Sequence, residues 1–148
     1  MTSRCDIAQL FLRIVLGIGF LLPVMDRFGL LGQPGEKGIA WGNWANFVGY
    51  TNVLLPYVNA VVANFMGAVA TGAEMIFAIA LLIGFKTRLA SIGSFLLTLA
   101  FALSMFFFVG KTAPFSYSVF SVSAASLLLS CLPVYKWSLD HIFPDSRF

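Results

Sequence analysis

Charge is what this chain has least of: six acidic and nine basic side chains in 148 residues, or 10%, against the roughly 25% of a soluble domain. So little charge excludes an ordinary soluble globular domain. The formal net charge of +3 is also too small and too dispersed to grip a nucleic-acid backbone. Histidine occurs once, as His141, beyond the last apolar stretch. Bis-histidine haem ligation inside a helical bundle is therefore excluded, and no group of residues has the spacing of a metal site. The two cysteines, Cys5 and Cys131, lie far apart and form no C-x-x-C, which argues against a dithiol relay. Glycine-rich nucleotide loops and a serine, histidine and acid constellation are missing too. Any redox centre is expected to come from a bound small molecule or another subunit.

What the chain has in abundance is apolar length. It is 59% hydrophobic with a mean hydropathy of +0.92. A spanning helix needs roughly 17 to 25 mostly apolar residues, and four windows qualify: 8–25, 58–85, 89–109 and 115–134. The expected fold is all-α, a polytopic membrane protein with one domain over 1–148 built as a four-transmembrane-helix bundle. A cleaved signal peptide is the alternative for the first window. Arg13 interrupts that run, no small-x-small cleavage site follows it, and Pro23, Asp26 and Arg27 close it, so a retained helix is expected. Cys5 precedes the run, which argues against a lipoprotein signal.

Loop charges suggest the orientation. With a cytoplasmic N-terminus, Arg4, Lys86, Arg88, Lys136 and Arg147 lie inside, and Arg27, Lys37 and Lys111 lie outside. The short Gly84-Phe85-Lys86-Thr87-Arg88 connection then forms a tight cytoplasmic turn, and both termini face the cytoplasm. The long loop 26–57 faces outward. Its glycine-rich start should be irregular. In its second half Trp41, Trp44, Phe47, Val48 and Tyr50 recur at near-helical spacing, which predicts a short interfacial amphipathic helix. That helix is read either as an anchor at headgroup level or as a lid over a lateral opening to a lipid-soluble ligand. Tyr135 and Trp137 would form the aromatic belt on the other side. Gly17, Gly67, Gly72 and the serines at 116, 123, 126 and 130 supply small surfaces for close helix packing.

Two charges interrupt the apolar windows, Arg13 in the first and Glu74 in the second. An ion at the bilayer centre costs at least about 2.5 to 3.5 kcal/mol, so each must be paired, solvated or used. Arg13 lies about 10 Å along its helix from Asp6, and Glu74 about 18 Å from Lys86. The roughly 8 Å between these depths is near the reach of an arginine side chain, which predicts an Arg13–Glu74 pair. Two readings of that pair stand open. It either fixes the register of two helices, or it handles protons or binds a ligand headgroup.

The run Leu12-Arg13-Ile14-Val15-Leu16-Gly17, then Arg27-Phe28-Gly29, Glu74, Leu82-Ile83-Gly84-Phe85-Lys86-Thr87-Arg88-Leu89-Ala90 and the tail Trp137-Ser138-Leu139-Asp140 resemble the DoxX family of small four-helix membrane proteins. The resemblance covers nearly the whole chain. It departs at Asp26-Arg27, where many members carry a lysine, and at Pro133-Val134-Tyr135-Lys136, which replaces a glycine-rich approach to the tail. It implies a membrane subunit associated with an oxidoreductase, as in thiosulfate:quinone oxidoreductase, and marks Arg13, Glu74 and Arg88 as the matching positions. A quinone would suit an aromatic pocket with a few polar groups entered from lipid. Arg27, Trp41, Trp44 and Arg88 are the expected headgroup or interface contacts. The expected setting is the inner membrane, with the lipid bilayer and other protein subunits as partners, no nucleic acid, no metal, and homo-oligomerisation left open. A non-catalytic scaffold subunit is the rival reading, and a small-solute or proton transporter a weaker one.

Overall fold

The computed structural model describes residues 3–143, so Arg147, counted among the inner cations, lies outside the described residues. Those residues are helical and contain no strand. Helix α1 spans Ser3–Arg27, α2 Trp44–Leu54, α3 Ala60–Ile83, α4 Thr87–Phe108, α5 Ala113–Ser116, α6 Val119–Ser130 and α7 Leu139–Ile142. Three of these, α1, α3 and α4, are long and apolar enough to cross a membrane. The chain thus has the make-up of a membrane protein.

The helices end where local chemistry dictates. Asn43 and Asn59 cap α2 and α3 by accepting the amides of Asn46 and Val62. Gly84 closes α3 in the left-handed conformation at φ 69°. The start of α4 is capped from far along the chain, because Asp140 Oδ1 and Oδ2 accept the amides of Lys86 and Thr87 at 2.6 and 2.7 Å.

The expected single helix over 115–134 is corrected. Ser118 adopts the left-handed conformation at φ 57°, which separates α5 from α6, and Pro133 stops the chain from continuing past Ser130. The resulting twelve-residue α6 is about 18 Å long, short of the hydrocarbon thickness.

Helix α1 packs on α3, α3 on α4, and α4 most extensively on α6, while α2 lies against α3. The core cluster joins Leu16, Phe20, Ala78, Leu81, Ala90, Leu129 and Tyr135. Exposed apolar side chains such as Phe11, Phe65, Ile76 and Phe107 cover the outside, as a lipid-facing surface requires. Close approach is real at Gly17, where an added Cβ would lie 2.6 Å from Leu82 Cγ, and at Gly67, where it would meet the Phe47 ring. Gly72 faces open space, so its expected packing role is corrected. On α6 the serines at 123, 126 and 130 are buried and Ser116 is exposed. Of these hydroxyls only Ser123 bonds another helix, donating to the Phe95 carbonyl, whereas Ser126 and Ser130 donate within α6.

Candidate functional site

The polar interior is divided between two ends of the molecule. The loop end holds the C-terminus of α1 and the connection to α2. The terminal end holds the start of α1, the α3–α4 turn and the segment after α6.

Glu74 belongs to the loop end and pairs with Arg27. Both are buried, at 4% and 3% exposure, with Arg27 Nη1 2.5 Å from Glu74 Oε2. The aligned hydrogen bond from Nη1 goes to Thr71 Oγ1 at 2.7 Å. Thr71 and Glu74 are three apart on α3 and so share one face. Burial of Arg27 follows from its surroundings: its Cζ lies 4.0 Å from the centroid of Phe47 and 5.3 Å from that of Trp41, so two rings replace water over the guanidinium. Its Nε is buried and has no hydrogen-bond partner among the described residues.

Asp26 sets this aromatic cover in place. Its carboxylate accepts the amides of Ala40, Trp41 and Gly42 at 3.0 to 3.1 Å, which folds the loop back over the end of α1. Trp41 packs edge-on against Phe47, and Trp44 stacks on Phe28 while donating from Nε1 to Asn64 Oδ1. The predicted helix over the aromatic residues is therefore present as α2, but Trp41 precedes it, and Phe47 points inward instead of anchoring at a surface. Charge-assisted hydrogen bonds contribute about 1.5–3 kcal/mol each. Asp26→Ala should thus raise the rate of trypsin cleavage after Lys37 at least about ten-fold, as read by limited proteolysis of the folded protein.

Arg13 belongs to the terminal end, so the expected Arg13–Glu74 pair is corrected. Arg13 is 1% exposed, and its Nε donates to the Leu81 carbonyl at 3.1 Å. Its Nη1 donates to the carbonyls of Lys136 and Trp137 at 3.2 and 3.4 Å. The physical reason lies in the register of the helices. Gly17 faces Ala78 and Leu82, which sets Arg13 level with the last turn of α3. Glu74 then lies seven residues from Leu81, about 10 Å farther along the axis. Beside Arg13, Gln9 Nε2 donates to the Lys136 carbonyl at 2.9 Å, and Asp6 is paired with Lys136 at 2.9 Å. These contacts bind the start of α1 to the segment after α6.

The remaining expected contacts divide as follows. Arg88 is exposed at the terminal end, and Trp137 is exposed there as well. Tyr135, expected in an aromatic belt, is instead buried, donating its hydroxyl to the Leu129 carbonyl at 2.9 Å. Burial pushes that phenol up to about 12, against the pull of the Arg88 charge, so it stays protonated. No group of His, Cys, Asp and Glu able to hold a metal occurs among the described residues.

Comparison with family models, with characterised proteins and with solved structures returns no match.

Proposed function

We propose that the chain is a DoxX-like subunit of the inner membrane, in which α5 and α6 together make the return crossing and both termini are cytoplasmic, that works within an oxidoreductase assembly and binds a quinone headgroup at the loop end. The observation that carries this reading is the buried Arg27 guanidinium, which keeps Nε unpartnered beneath Trp41 and Phe47 while Glu74 balances its charge. A quinone carbonyl accepts a hydrogen bond and a quinone ring stacks on aromatic faces, so the donor and the rings match its two chemical features. Entry would require the Trp41 cover to move, and Asp26 is the hinge contact that holds it. Two electrons for reduction would come from a partner subunit, and Glu74 is the nearest acidic group to handle a proton.

A second reading, that of a scaffold subunit with no ligand, is favoured by the other buried cation. Arg13 spends its donors on three backbone carbonyls and thereby fastens α1 to α3 and to the segment after α6. Mass spectrometry of the gently solubilised native complex separates the two, because it reports both lipids and subunits. Glu74→Gln should lose most copurified quinone and lower activity per assembled molecule, with folded protein measured alongside because the buried Arg27 is left without its carboxylate. A tight complex with a larger partner and no quinone, together with unchanged activity per assembled molecule in Glu74→Gln, would leave the scaffold reading standing.

A further inference from the structure

We infer that the cavity at the terminal end seats the phosphate group of an anionic phospholipid from the adjoining leaflet. The inference rests on the chain crossing a membrane and is independent of the loop-end site. The cavity, about 510 Å³, is bounded by the α3–α4 turn, the start of α4 and the segment from Leu132 to His141. Lys86 and Arg88 stand on it, both exposed and neither in an ion pair among the described residues. The carboxylate on its wall, Asp140, has both oxygens bonded to the amides of Lys86 and Thr87. Two side-chain cations therefore face one acid that is already engaged with backbone.

Thr87 supplies a second, independent observation. It also lines the cavity, is fully buried, and its Oγ1 has no hydrogen-bond partner among the described residues. Buried hydroxyls are rarely left so, and a phosphate oxygen would accept its proton. The apolar part of its wall includes Leu89 and Val134, exposed at 48% and 39%, where α4 enters its apolar run. Soluble phosphate would gain nothing from that wall. A phospholipid would lay its glycerol and first acyl carbons along it while its phosphate meets Lys86, Arg88 and Thr87. Each basic side chain near a membrane surface strengthens such binding several-fold, so the pair should select an anionic lipid over a zwitterionic one.

The test is native mass spectrometry of the full-length protein in detergent, titrated separately with phosphatidylglycerol and with phosphatidylcholine of the same chain length. Wild type should retain one phosphatidylglycerol in clear preference to phosphatidylcholine. Lys86→Asn with Arg88→Gln should reduce that retention roughly ten-fold or more, asparagine being tolerated at the left-handed position 86. Lys111→Gln, at the other end of α4, should leave it unchanged. Thr87→Val, nearly isosteric, should weaken phosphatidylglycerol without affecting phosphatidylcholine, and unfolding temperatures would verify that every variant is folded. Equal retention of both lipids, an unaffected double variant, or an equal loss in Lys111→Gln would overturn the inference. Displacement of the lipid by millimolar inorganic phosphate would overturn its assignment to a phospholipid.

Discussion

Arg27→Met should lower the stability of the folded protein by about 3–5 kcal/mol, the cost of leaving one member of a buried ion pair alone. Methionine keeps an unbranched apolar stem between Phe47 and α3 but removes the guanidinium. Glu74, at 4% exposure, then loses its 2.5 Å contact, and Thr71 Oγ1 loses its donor. Stability would be read as the midpoint of unfolding in mixed detergent micelles. Adding Glu74→Leu to Arg27→Met should recover most of the loss, because buried pairs exchanged together for apolar residues are often near neutral. Arg27→Lys should fall between, since an ammonium keeps the charge but not the planar guanidinium that lies over the Phe47 and Trp41 rings. If Arg27→Met costs no more than an exposed substitution, within about 0.5 kcal/mol, the pair has no energetic role.

Gly84→Ala should be comparably damaging at the other end. Gly84 holds φ at 69°, where a residue with a Cβ costs roughly 1–2 kcal/mol. The added carbon would also overlap Ser138 Cβ and Arg13 Nη2, neither of which can retreat freely. Ser138 is buried, donating to the Tyr135 carbonyl at 2.5 Å and accepting the His141 amide, while the Gly84 carbonyl accepts the Asp140 amide at 2.9 Å. Arg13 is tied to three carbonyls on two segments. Overpacking adds about 1–3 kcal/mol, for a total near 3–4 kcal/mol. Gly35→Ala is the matched control. It shares the positive φ, at 91°, but an added Cβ meets nothing within 4 Å, so it should lose only the conformational part. Equal midpoints for the two variants would mean that the Gly84 turn is not clamped by Arg13 and Ser138.

Much of the fold was legible because lipid-facing helices are written as uninterrupted apolar runs, and α1, α3 and α4 follow their windows within a few residues except at the start of α1. The fourth window misled because apolar composition does not register the left-handed Ser118 or the stop before Pro133. Arg13 and Glu74 were legible as special because ionised groups are expensive in apolar runs. Their partners were not legible, since pairing depends on how the helices slide past each other. Depths counted from Asp6 and from Lys86 share one origin only where α1 and α3 reach the same level. In fact α1 starts at Ser3, and its first turns run past the end of α3 to meet Lys136. Arg27 reads in the sequence only as a headgroup contact, because an arginine at a helix end ordinarily reaches outward into water. One signal was available. Thr71 and Glu74 share a face of α3, and Arg27 ends the preceding long helix on the side from which α3 starts.

The most direct measurement is a pair of double-mutant cycles on Glu74, one with Arg27 and one with Arg13, read as unfolding free energies. Glu74→Gln combined with Arg27→Met should show a coupling of about 1.5–3 kcal/mol, as expected for contacting buried charges. Combined with Arg13→Met, it should show additivity within about 0.5 kcal/mol, as expected for groups without shared partners. A large coupling to Arg13 with additivity at Arg27 would contradict the arrangement, returning Glu74 to the terminal end and leaving Arg27 without its carboxylate.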